Sequence, residues 1–326
     1  MINVMKKYTF KPENISKKGA RFFDKKNLDL AFNSKEKSKL KQAILHGQKI
    51  CPELVLNEYK NTAEISVVNT MQLFNYQILN SIKTGFEKQN SFVVLPDISV
   101  NNNTIIASTL QAHNREINVF KYKSKSGSFT ALGTNISNLK CGINQNGIFI
   151  AYHKIYTQNN HNGITPGMIM RIVLERAKGL NQATEILHTI PHAENASYLV
   201  CSGDRHLIFE TAEGINKILY PQKYYLSLSN HFLSEELKPE DIREQIFPAN
   251  ISVQRDAHVV YYLVHARRKV DVDTIKRILG NTQSGICSDE GELNTKYSLY
   301  YEYGKRDMFV ALGPPTKNKF KKISLY

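Results

Sequence analysis

A chain of 326 residues with 41% hydrophobic content is long enough to bury a full core, and one large α/β unit with an N-terminal appendage fits it best. No apolar run approaches the roughly 20 residues of a membrane span, and the first ten residues carry no apolar leader after their lysines, which predicts a soluble, cytoplasmic protein. The net charge of +14 is unevenly placed: residues 1–49 hold thirteen Lys/Arg against four Asp/Glu, an excess of nine positive charges in the first sixth of the chain.

Taken in order, residues 1–49 read as a basic arm. With Tyr8, Phe10, Phe22 and Phe23 between the charges, it could meet RNA, an acidic lipid surface or an acidic protein, although a solvated arm has the same composition. No helix-turn-helix, zinc-finger or RNP pattern accompanies it. Leu40, Ala43 and Ile44 predict an amphipathic helix within 34–46, and the apolar spacing from Ala63 to Ile82 predicts one or two buried helices over 57–82. Two β-favouring runs follow, Ser91–Leu95 and Thr104–Ala112. The turn Asn144-Gln145-Asn146-Gly147 then introduces a strand from Ile148 to Tyr152. Pro166 suits a helix start, with Met168, Ile169, Ile172, Val173, Leu174 and Ala177 at helical spacing behind it. A short helix at 181–189 precedes strands at 196–201 and 206–210, joined by Ser202-Gly203-Asp204, and a strand from Tyr224 to Phe232 that ends on an Asn-His pair. Ser252 to Arg255 opens another helix, and Tyr297–Tyr303 with Met308–Pro315 predict a closing hairpin. Tyr261, Tyr262, Tyr297, Tyr300, Tyr301, Tyr303 and Phe309 read as packing aromatics.

The chemistry-bearing patterns are sparse. Cys51, Cys141, Cys201 and Cys287 have neither paired nor metal-like spacing, which predicts reduced, buried thiols and no bound metal. No G-x-G-x-x-G, P-loop or G-x-S-x-G occurs, so no cofactor is expected. His153, His161 and His231 are placed to gather near the mouth of a site.

Gly142-x-Asn144-x-x-Gly147, then Gly163-Ile-Thr-Pro-Gly-Met168 followed by Arg171, Leu174, Glu175 and Ala177, then Ser229-Asn230-His231-Phe232 and Leu312-Gly-Pro-Pro-Thr316, together resemble the acyl-coenzyme A:6-aminopenicillanate acyltransferase family. These are N-terminal-nucleophile proteins related to the linear amide C–N hydrolases, and the likeness covers roughly residues 50–326. It implies an α+β fold, a four-layer αββα sandwich, with 50–90 corresponding to the family's pre-nucleophile helices. It also implies an acyl amide substrate and an oxyanion hole using the amides of Asn144 and Asn230, both of which equally suit a turn or a strand end.

Two departures weigh against that chemistry. Matching Ser91-Phe92-Val93-Val94 to the family's strand places Gln89 where the family has its nucleophilic cysteine, and glutamine is not a nucleophile. Shifting the register by two makes Ser91 the nucleophile after cleavage of Asn90–Ser91; otherwise Ser91 is an ordinary strand residue. The carboxylate that follows on the family's next strand is also missing, since no acid appears between Thr104 and Glu116. The sequence therefore favours a catalytically degenerate binding or scaffold protein over an amide hydrolase that uses Ser91, Asn230 and Asn144.

Overall fold

A computed structural model of the chain describes residues 8–10, 86–113, 116–123, 127–135, 138–157, 163–221, 224–242, 251–266, 269–291 and 293–325. The helices expected at 34–46 and 57–82, the boundary at 49/50, Cys51 and His161 lie outside these residues.

Two sheets form the body. The larger contains β1 (Tyr8–Phe10), β4 (Asn118–Lys123), β5 (Ser128–Asn135), β6 (Asn138–Asn144), β7 (Ile148–Lys154), β8 (Ala196–Ser202), β9 (Arg205–Ala212) and β10 (Ile215–Leu219), in that spatial order. From β4 to β10 each strand pairs antiparallel with the next in sequence, and β1 adds parallel to β4. The smaller sheet runs β11-β2-β3-β12-β13-β14, with β2 (Glu87–Val94), β3 (Ile105–Ala112), β11 (Tyr225–Leu228), β12 (Asn294–Glu302), β13 (Asp307–Leu312) and β14 (Lys321–Ser324). Helices α1 (Pro166–Arg176) and α2 (Leu180–Thr189) cover the larger sheet; α3 (Ile251–His265) and α4 (Val272–Leu279) cover the smaller.

Strand alternation accounts for this layering, because successive side chains on β7 and β2 serve different cores. Ile148, Ile150 and Tyr152 pack under α1 and α2, while Phe149 and Ala151 face the other sheet. Phe92 and Val94 pack under α3 and α4, while Val93 faces between the sheets. Three cores separate four layers, the αββα order expected. Gly142 permits the close seating of α1, since a Cβ there would come within 2.8 Å of Leu174 Cδ1 and of Ala131 Cβ. Gly147 takes φ +77° in the hairpin turn, where a side chain would be strained.

The expected strand from Tyr224 to Phe232 is shorter than its residues suggested. It stops at Leu228, and Ser229 to Phe232 turn away to carry polar groups into the interior. Tyr261 departs from the packing role expected of the aromatics: it is 56% exposed, with the rings of His265 and Tyr262 beside its own at 4.0 and 5.9 Å. Tyr300, by contrast, stacks on Phe309 at 4.9 Å beneath α4. No described helix is long and apolar enough to cross a membrane.

Candidate functional site

Alternation on β2 puts Gln89 and Ser91 on the face of Val93, between the sheets, and Asn90 on the face of Phe92, toward α3. Phe92 pairs with Ala107 of β3 and with Ser227 of β11, so the strand is held on both sides.

Gln89 is 2% exposed and is gripped from three directions. Its backbone N–H donates to Asn230 Oδ1 at 2.6 Å. Its side-chain carbonyl accepts from the backbone N–H of Lys154 at 3.1 Å and, more weakly, from Asn230 Nδ2 at 3.5 Å. Asn230 Nδ2 also donates to the Lys154 carbonyl at 3.0 Å. Two N–H groups thus converge on one amide oxygen, as an oxyanion hole would, and the oxygen belongs to the chain itself.

Arg255, 1% exposed on the inner face of α3, ties this group to the helix layer. Its Nε donates to Asn90 Oδ1 at 2.7 Å and its Nη2 to Asn230 Oδ1 at 2.9 Å, while Asn90 Nδ2 donates to Ser229 Oγ. Next to it, burial raises the Asp256 carboxyl, with the Ser227 hydroxyl and the Arg255 charge opposing.

Ser91 is fully buried. Its hydroxyl donates to Ser108 Oγ at 2.8 Å and lies 2.9 Å from His153 Nε2. A hydroxyl has one proton, so Ser91 can donate either to Ser108 or to the His153 ring, and the ring faces Ser91 as a base only in the second arrangement. Burial first, then the charges of Arg255 and His231, hold the His153 ring down to about 3 against the opposing Ser229 backbone hydrogen bond, so it is neutral at pH 7. His231 is bonded elsewhere, to Ser252 Oγ at 2.9 Å.

Asn144 lies at the other end of β7. His153 is five positions beyond Ile148, about 17 Å of extended strand. Asn144 Oδ1 accepts from the backbone N–H groups of Asn146 at 3.0 Å and Ile148 at 2.9 Å, and Nδ2 donates to the Ala177 carbonyl at 2.7 Å, closing its own turn onto the end of α1. The structure therefore brings Asn230 together with Gln89, sets Ser91 against His153, and uses Asn144 within its hairpin.

The sequence reading did not single out Arg255, Lys154 or the ion pair between Lys140 and Glu87, which meet at 2.9 Å with each side chain 1% exposed. The Glu87 backbone N–H donates to the Tyr156 hydroxyl at 2.9 Å, and Lys140 Nζ lies 5.2 Å from the centre of the Tyr152 ring. A signal for Arg255 was present: Ser252, Arg255, Val259 and Leu263 fall on one buried stripe of α3, so an arginine occupies a core position. The ion pair left no such trace, because its members are 53 residues apart in sequence.

Burial disfavours the thiolate form of each described cysteine. Burial pushes Cys141 up to about 12 and raises Cys201 and Cys287 as well. Among the described residues no three His, Cys, Asp or Glu side chains converge as a metal site.

Comparison with known proteins agrees with this architecture. The penicillin V acylase of Agrobacterium tumefaciens superposes with a TM-score of 0.51 at 12% identity, covering 72% of this chain and 86% of that one. An N-acylethanolamine-hydrolyzing acid amidase ortholog from Caenorhabditis elegans is similar at a TM-score of 0.49 and 10% identity, over 65% of this chain and 91% of that one. A mutant conjugated bile acid hydrolase from Clostridium perfringens follows at 0.46 and 12%, over 73% and 92%. No curated protein matches at the level of sequence. The sequence profile described as acyl-coenzyme A:6-aminopenicillanic acid acyl-transferase matches residues 103–317, two thirds of the chain, and the protein belongs to that family.

Proposed function

We propose that this member of the acyltransferase and amide hydrolase family is catalytically degenerate and acts by binding. One observation carries the reading: the carbonyl of Gln89 fills the position between Lys154 N–H and Asn230 Nδ2 where a substrate oxyanion would be held. An internal amide occupies the donors, and the residue that supplies it cannot attack an acyl carbon. The bond that would have to break to free a catalytic amine at Ser91 lies inside a strand paired on both sides. The basic arm of residues 1–49 is the proposed contact for an acidic partner.

A second reading has an observation of its own. Ser91 within 2.9 Å of His153 Nε2 resembles a nucleophile beside a base, and rotation of the Ser108 hydroxyl would let Ser91 donate to the ring. On that reading the protein is an amide hydrolase or acyltransferase matured by cleavage at Asn90–Ser91.

Intact mass under denaturing conditions separates the two. The binding reading expects one chain of 37.2 kDa, no hydrolysis of acyl amides, and no change on Ser91→Ala beyond stability. Fragments meeting at Asn90/Ser91, with turnover abolished by Ser91→Ala, would overturn it.

A further inference from the structure

The 15 residues of α3 include two charged side chains, and both are turned away from its outer side. Arg255 is 1% exposed, and Asp256 is partly buried, accepting from the Ser227 hydroxyl at 2.6 Å. Along the outer side Val253, Ala257, Val260, Tyr261 and Val264 recur at helical spacing, with Val253 41%, Tyr261 56% and Val264 53% exposed. Only the uncharged Gln254 and the imidazoles of His258 and His265 flank them. The other helix of this layer, α4, has the ordinary surface pattern, with Asp273 and Arg277 exposed beside Lys276. α3 is therefore apolar toward the sheet and apolar again along much of its opposite side, the pattern of a helix covered on both.

The chain itself supplies a matching surface. From Ile65 to Ile82, outside the described residues, the sequence has no charged side chain, in a protein where charged residues make up 22%. Val67, Met71, Phe74, Ile78 and Ile82 follow at steps of three or four, one stripe of the helix that this spacing predicts. As a helix these residues would span about 27 Å, enough to lie along α3, which is about 22 Å long. They are also tethered at a suitable place. Ile82 precedes Phe86 by four positions, at most about 14 Å of chain, and β2 begins at Glu87. β2 runs alongside α3 in the same direction: Asn90 accepts from Arg255 Nε at 2.7 Å, and Phe92 and Val94 share a core with Val259 and Leu263. The tether thus brings Ile82 toward the first half of α3, so the preceding residues run back along it. A second copy on the same face would leave the stripe of residues 65–82 needing a different seat, and a charged partner would find no opposite charge among the exposed valines and tyrosine.

We propose that the outer face of α3 is the docking surface for residues 65–82 of the same chain, laid antiparallel across it as a fifth layer. Ile78 and Ile82 then lie toward Val253 and Ala257, and Val67 and Met71 toward Tyr261 and Val264. The inner face of the same helix carries Arg255, which bonds both Asn90 and Asn230, so this cover backs the helix that braces the site. The docking is independent of whether the chain hydrolyses amides.

Amide hydrogen exchange on the full chain tests this. Peptides within 65–82 should be protected in the wild type, and the Tyr261→Lys/Val264→Lys double variant should speed their exchange about tenfold or more while β7 and β8 exchange as before. Should that variant fail to fold by circular dichroism, engineered cysteines decide. Ile78→Cys with Ala257→Cys should close an intramolecular disulfide on mild oxidation, whereas Ile78→Cys with Glu185→Cys, on α2 of the opposite layer, should not. Unprotected amides in 65–82, exchange there indifferent to the two lysine substitutions, or no disulfide from the Ala257 pair would overturn the proposal. So would a disulfide that forms only between chains, or a dimer of the wild type that Tyr261→Lys dissociates, either of which assigns the face to a second copy.

Discussion

The two ends of β7 hold chemically identical groups put to different use. At the turn, the Asn144 amide satisfies N–H groups two and four residues ahead and one helix-terminal carbonyl. At the opposite end, Lys154 meets Gln89 and Asn230, 65 and 76 residues away in sequence, and those two, 141 residues apart, also bond each other. An asparagine that answers its own backbone specifies a local shape. One that answers distant chain segments defines where three elements meet, and only that kind can be turned to a ligand or filled by a side chain such as Gln89.

The strongest way to break this contrast is at the charged pair beside the far end. Lys140→Met should leave Glu87 buried without its ammonium and cost about 3–5 kcal/mol in urea denaturation, with the Lys140→Met/Glu87→Leu double variant recovering most of it. Next, Asn230→Ala strips an acceptor from Arg255 and from the Gln89 N–H, for an expected loss of about 3 kcal/mol. Its effect should be strongly non-additive with Gln89→Ala. Asn144→Ala should cost about 2 kcal/mol, yet combine additively with Gln89→Ala to within about 0.5 kcal/mol, because the two share no partner. Coupling between positions 144 and 89 as large as that between 230 and 89 would erase the distinction.

A further check is a pH dependence. The folded-state value of His153, about 3, lies below its ordinary 6.5, so the unfolded chain binds a proton first as pH falls. The stability this supplies is complete above about pH 6.5 and is lost as pH drops toward 3, with His192 and His206, each held near 4, acting the same way. His153→Gln should therefore narrow the difference in urea midpoint between about pH 7 and pH 4.5. An unchanged difference would show that His153 is not protected from protonation.

The fold was legible wherever its signals were local. The Gly147 turn, the Pro166 helix start and the hairpin around Gly203, which takes φ +66°, each announce themselves within a few residues, and the family order then supplies the layers. The site was legible only in part. Gln89 could be aligned to the nucleophile position, but nothing in a strand's own residues says which of its faces looks between two sheets, so the burial of Ser91 against His153 came from tertiary packing. Asn144 and Asn230 had the same sequence credentials and were separated only by partners that the sequence does not name.

One consequence of the sheet orders concerns the time at which the site comes into being. The larger sheet from β4 to β10 zips from neighbour to neighbour, each pairing closing a short stretch of chain. The other edge of β3, once β2 has paired with it, must in contrast wait for β12, with Ser108 facing Leu299, more than 180 residues later. Loop closure over such a length is slow, and synthesis delivers the partner many seconds after β3 has emerged. During that interval a nascent chain would hold a nearly complete eight-stranded layer and an unfinished six-stranded one. Asn90 and Gln89 would then meet Arg255 and Asn230, which come 165 and 141 residues later, only after most of the chain has been made, so this hydrogen-bonded cluster is a mark of the later molecule and is absent from its early growing precursors.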